Sequence, residues 1–218
     1  MIVYRLNNLI LIGTAHVSPA SIKMVRETIL KERPEIVGVE LCPERYAALL
    51  RKSQSIPHSP IALTLYFIQE LFSKRMGVEA GEEMLEAVRA ANEIGAKIEF
   101  LDRNLSLTLE KLSKLQVTEK LKFLAWLITG FIFSPKVDIS KFDENKIIEL
   151  LQLFQRRCPG FYRVLVQERD EYIGNKILEL GGRKMVCVIG AGHVPGVVHM
   201  LKETWSFKTE WDMHFYSS

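Results

Sequence analysis

Several chemistries are excluded by what the chain lacks. Its 218 residues include three cysteines, Cys42, Cys158 and Cys187, far apart and without a CxxC pair. That odd number at wide spacing fits neither a disulfide framework nor a zinc ribbon, and it points to a reducing compartment. The absence of HExxH removes an ordinary zincin, and the absence of GxSxG removes a nucleophile-elbow serine hydrolase. Charge of one sign is not in excess: 29 Lys+Arg stand against 26 Asp+Glu, a net +3, which is no electrostatic footprint for nucleic acid. The opening MIVYRLNN has no basic leader followed by an apolar stretch, so the expected location is cytoplasmic. The longest uncharged apolar run, FLAWLITGFIF at 123–133, falls short of the roughly 18 to 20 residues that cross a bilayer. It reads as a buried helix, or alternatively as a membrane-surface or homodimer contact.

What remains is an ordinary globular composition, 48% hydrophobic and 25% charged, in a length suited to one domain, or to a core with an inserted lobe. Short β-rich runs at 2–6 and 9–12 flank Asn7-Asn8, a pair that tolerates a tight hairpin turn. Ser18-Pro19 starts a helix that Pro34 stops. Strands are expected at 36–41, 97–101 and 185–189, and an edge strand at 207–215, where apolar and polar residues alternate. Helical periodicity covers 43 onward, 61–76, 80–94, 108–133, 141–155, 161–180 and the stretch after Pro195. This succession makes the fold α/β, a mixed sheet with flanking helices. One domain spans 1–218, with a helical lobe inserted at about 104–160, between the third and fourth core strands.

One short motif occurs twice: an apolar strand running into Gly-x-x-His, as Gly13-Thr14-Ala15-His16 and as Gly190-Ala191-Gly192-His193. In an open α/β sheet the carboxyl ends of the strands are where ligands bind, so both histidines are expected in one crevice. GAGHVPG also approximates a dinucleotide fingerprint, but Pro195 occupies the third glycine position and no acidic strand end follows.

Charges cluster at the other strand ends. Glu40 interrupts an apolar strand, Arg45 follows a turn later, and 97–101 runs into Asp102-Arg103. A carboxylate within a buried strand must meet a cation or a metal. On the helix after Phe161, Glu168 and Arg169 fall inside the apolar stripe and are expected to point inward. Glu40, Arg45, Asp102, Arg103, Glu168 and Arg169 therefore read either as an active-site floor or as a buried ion-pair network that holds the lobes together.

GTAHVS at 13–18, VELCPERY at 39–46, GEEM at 81–84, LDR at 101–103, ERDEYIGNKI at 168–177 and IGAGHVPG at 189–196 resemble the TraB/PrgY family of pheromone-shutdown proteins. That family is related to the Tiki metalloproteases and to the GumN, erythromycin-esterase and ChaN-like proteins. The resemblance implies an α/β fold whose site is built from His16, His193 and Glu40. From the Tiki branch it implies a peptidase that uses manganese or cobalt; from the TraB branch, inhibition of a small hydrophobic peptide pheromone. Many TraB relatives carry C-terminal transmembrane helices, and this chain shows none after the second GxxH.

Imidazole plus carboxylate ligands independently suit a divalent cation, with Arg45, Arg103 or Arg169 stabilising an oxyanion or gripping a substrate carboxylate. The expectation is thus a metal-dependent, peptidase-like hydrolase with His16, Glu40 and His193 as ligands. Arg45, Arg103, Glu168 and Arg169 complete the site. The alternatives are metal-free ester or amide hydrolysis with His16 as general base, or a non-catalytic module that binds a peptide or haem.

Overall fold

The computed structural model describes residues 2–14, 19–51, 81–133 and 144–215. Five strands form one sheet: β1 (Ile2–Leu6), β2 (Leu9–Thr14), β3 (Ile36–Val39), β4 (Lys97–Phe100) and β5 (Met185–Gly190), in the order β1-β2-β5-β3-β4. β1 pairs antiparallel with β2 through the expected hairpin, with Asn7 at φ 50°. The other pairings are parallel, so the sheet is mixed. Every residue of β2, β3 and β5 is buried, as parallel strands covered on both faces require.

Two helical layers provide that cover. On one face α1 (Pro19–Glu32) and α3 (Glu82–Ile94) pack Val25, Ile29, Met84 and Val88 against Ile10, Ile12, Val37 and Val186; α2 (Pro43–Leu50) follows β3. On the other face α8 (Glu168–Glu179) and α9 (Val194–Phe215) pack Ile173, Ile177, Val197 and Leu201 against Leu9, Leu11, Cys187 and Ile189. Gly38 makes the middle of the sheet possible, because a Cβ there would lie 2.7 Å from Leu101 Cδ1 and 2.8 Å from Cys187 Sγ. Complete burial pushes the Cys187 thiol up to about 12, so this cysteine is an inert apolar filler.

Between β4 and β5 come α4 (Leu105–Ser113), α5 (Val117–Phe133), α6 (Glu144–Arg157) and the short α7 (Pro159–Tyr162). They share a small core of Leu112, Phe123, Cys158, Phe161 and Val164, in which Phe123 and Phe161 stack with ring centroids 3.9 Å apart. Val117, Leu121 and Leu124 are exposed at helical spacing on α5. Among the described residues no helix is long and apolar enough to cross a membrane. The helix expected at 61–76 lies outside the described residues.

Three expectations are corrected. Residues 207–215 are not an edge strand; they continue α9, because no Gly or Pro between Leu201 and Phe215 ends the helix begun at Val194. The single helix expected at 108–133 is two, separated after Ser113. The helix expected at 161–180 is interrupted by one π-helical segment, Arg163–Gln167, where the Glu168 N–H reaches back to the Arg163 carbonyl.

Candidate functional site

The parallel strands end together, and their last residues supply the floor of the site. Glu40 follows β3 directly, its own N–H still bonded to the Val188 carbonyl at 3.0 Å. Its side chain is 4% exposed, and Oε2 accepts the Gly190 N–H at 2.5 Å. Oε1 pairs with Arg169 and lies 3.4 Å from His193 Nε2. Glu40 thus sits at the meeting point of β3, β5 and the second GxxH turn. That turn is tight: His193 N–H bonds the Gly190 carbonyl at 2.9 Å, and Ala191 N–H bonds the Thr14 carbonyl at 2.7 Å. The last contact joins the two Gly-x-x-His segments. Gly13 permits it, since a Cβ at that position would meet Val194 Cγ2 at 2.5 Å.

Arg169 enters from α8. Its Nε and Nη2 bind both oxygens of Asp102, at 3.1 and 2.8 Å, while Nη2 also holds Glu40 and Nη1 reaches the Leu165 carbonyl at 3.3 Å. Burial alone would lower the Arg169 guanidinium, but the Glu40 and Asp102 carboxylates hold it above its ordinary value. Its charge is therefore permanent.

One step away, Arg103 is equally committed. Nε donates to Thr108 Oγ1 at 3.0 Å, Nη1 to Glu168 Oε2 at 2.8 Å and Nη2 to the Val164 carbonyl at 2.7 Å. Lys111 adds a bond to Glu168 at 2.7 Å. Burial raises the Glu168 carboxyl, yet the bonds from Lys111 and Arg103 outweigh it and leave the group below its ordinary value. The Val164 and Leu165 carbonyls that serve these arginines both belong to the π segment, where the wider turn loosens the usual helical ladder.

Of the expected site residues, the structure brings Glu40, His193 and Arg169 into direct contact and places Arg103 and Glu168 in an adjoining network. Arg45, half-buried near the start of α2, forms no ion pair or side-chain hydrogen bond among the described residues. His16 lies outside the described residues. Two buried acids were not singled out as site residues. Asp170 holds His193 Nδ1 at 2.6 Å, and Glu83 of α3 accepts from Thr14 Oγ1 at 3.3 Å. Asp170 escaped because it lies about 200° around a regular helix from Glu168, so facing Glu168 inward turns Asp170 away. In fact α8 is covered on two sides: Glu168 and Arg169 meet Arg103 and Asp102 of the segment after β4, and Asp170 meets His193 of the turn before α9. Three consecutive charges in a helix with two apolar sides were the available signal. Glu83 was marked only by its place in GEEM.

Among the described residues no group of three His, Cys, Asp or Glu side chains is arranged to hold a metal ion. Two of the three expected ligands do adjoin, and the 3.4 Å between His193 Nε2 and Glu40 Oε1 matches the edge of a coordination shell whose bonds are about 2.0–2.2 Å.

Residues 4–204 match the TraB/PrgY/gumN family. An uncharacterized protein of Methanocaldococcus jannaschii is 32% identical over 88% of the chain and 53% of its own length. A TraB domain-containing protein of Bos taurus is 27% identical over 85% of the chain and 60% of its own length, and one of Homo sapiens 25% identical over 89% and 62%. The chain thus spans about half to three-fifths of the length of these relatives.

Proposed function

Because the chain belongs to the TraB/PrgY/gumN family, we propose that it is a hydrolase, peptidase-like, with a divalent cation held by Glu40 and His193 together with His16. The observation that carries the reading is the setting of His193. Its Nδ1 faces Asp170 at 2.6 Å and its Nε2 faces Glu40 at 3.4 Å. A neutral ring that gives its one proton to Asp170 turns a bare lone pair toward a carboxylate oxygen. Two acceptors in that position repel unless a proton or a cation lies between them.

A divalent cation, manganese or cobalt by the family resemblance, would supply Lewis-acid polarisation of an amide carbonyl and a water of lowered pKa. The chain's own residues supply the rest. Arg169, locked to Asp102, keeps Glu40 turned toward His193, and the Gly190 N–H fixes the second carboxylate oxygen. Every guanidinium nitrogen of Arg169 and Arg103 already donates within the protein, which ties both side chains to the scaffold. Arg45, which makes no ion pair among the described residues, would grip a substrate carboxylate. The substrate class is a small or hydrophobic peptide. The exposed Val117, Leu121 and Leu124 of α5 are the surface on which a membrane or a second copy would dock.

One observation favours a second reading. Glu40 already pairs with Arg169 and accepts the Gly190 N–H, so both of its oxygens have partners within the protein without a metal, as metal-free hydrolysis with His16 as base would need. Turnover of a peptide library before and after chelation separates the two. Activity lost with the cation and restored by manganese or cobalt supports the first, whereas activity that survives chelation supports the second. Tight binding of a peptide or of haem without turnover would make the protein a binding module.

A further inference from the structure

In the chemistry above Asp170 enters only as the acceptor facing His193 Nδ1. Asp170 lies on α8 and His193 in the turn before α9, and both are buried, at 7% and 8% exposure. Their contact, Nδ1 to Oδ1 at 2.6 Å, is the only hydrogen bond that Asp170 makes with its side chain among the described residues. The backbone is shaped around it. A Cβ on Gly196 would lie 2.0 Å from Asp170 Oδ2 and 2.7 Å from Cγ, so the carboxylate reaches the imidazole only across a glycine. Gly174 leaves room for Met200 of α9, whose Sδ would lie 2.6 Å from a Cβ at that position.

We infer that Asp170 is a positioning residue: it accepts the Nδ1 proton of His193, fixes the ring tautomer and turns Nε2 toward Glu40. A carboxylate behind a histidine in this way orients the ring and makes its other nitrogen a better ligand. Burial raises the Asp170 carboxyl above its ordinary value, and the His193 bond opposes that rise. The inference rests on the cation-site reading for its purpose, but its geometry can be tested separately.

The test compares the wild type with Asp170→Asn and Gly196→Ala. The second variant alters neither side chain of the pair and displaces the carboxylate by steric contact alone. In cation-free protein, the His193 ring N–H is assigned by its loss in His193→Gln. In the wild type it is expected at Nδ1 and shifted far downfield by the short bond. In both variants it should move upfield, and manganese affinity measured by spin resonance should fall by roughly 10 to 100-fold. A His193 ring spectrum that is unchanged in both variants overturns the inference. If the wild type takes up no manganese while the Nδ1 proton shifts as expected, the cation reading fails and the positioning role stands.

Discussion

The Arg169 guanidinium binds both oxygens of Asp102, at 3.1 and 2.8 Å, and with the same Nη2 holds Glu40 from across the sheet edge. One buried cation therefore answers two carboxylates, and removing either leaves it paired. Glu40→Gln and Asp102→Asn should each cost little, on the order of 1 kcal/mol, because Arg169 keeps one anionic partner. The double variant strands a buried charge and should cost roughly 3 to 5 kcal/mol, more than the sum of the two. Urea unfolding of the four proteins in the cycle gives the coupling directly, and strictly additive values would show that Arg169 does not couple the two acids.

Acid should unfold the lobe contact first. The Glu168 carboxyl sits below its ordinary value, so its contribution to stability is present at neutral pH and disappears as pH falls through the carboxylate range. Asp170 is raised and contributes with the opposite sign, so stability from that group declines as pH rises out of the same range. Melting temperature followed from pH 7 downward should fall less steeply in Glu168→Gln than in the wild type. Parallel curves would mean that the Arg103–Glu168–Lys111 cluster is not linked to folding.

Arg45 makes no ion pair among the described residues, so Arg45→Ala should leave the melting temperature within about 1 °C while raising KM for peptides with a free terminal carboxylate. Amidated peptides should show no such change. Equal effects on both peptide classes would remove Arg45 from substrate recognition.

Gly38→Ala tests the sheet rather than the chemistry. A methyl group 2.7 Å from Leu101 Cδ1 and 2.8 Å from Cys187 Sγ overpacks the centre of the sheet and should cost about 1 to 3 kcal/mol. Thermal unfolding measures it, and a neutral result would mean that β3, β4 and β5 can spread without loss.

Much of this arrangement is legible in the residues themselves. Asn7-Asn8 marks the hairpin, uninterrupted apolar runs mark the buried parallel strands, and a lone Glu40 at the end of such a run marks a paired carboxylate. That Glu40 pairs with Arg169, rather than with Arg45 or Arg103 of the same expected network, was not legible. Arg169 reaches it from 129 residues away, along a helix whose facing is set by a π segment that periodicity of 3.6 does not anticipate. Asp170 was hidden because a single inward face was assumed for α8, which is covered on two sides. Alternation at 207–215 misled because it is a weak signal beside an uninterrupted helix that already approaches from Val194.

The central claim is that Glu40 and His193 belong to a cation site, and metal content measured on protein purified without a histidine tag tests it most directly. The account predicts close to one manganese or cobalt ion per wild-type chain. It predicts loss of that ion in Glu40→Gln, which stays folded because Asp102 still pairs Arg169. A wild-type chain that binds no divalent cation even after incubation with manganese, or a Glu40→Gln chain that retains the full complement, would contradict it.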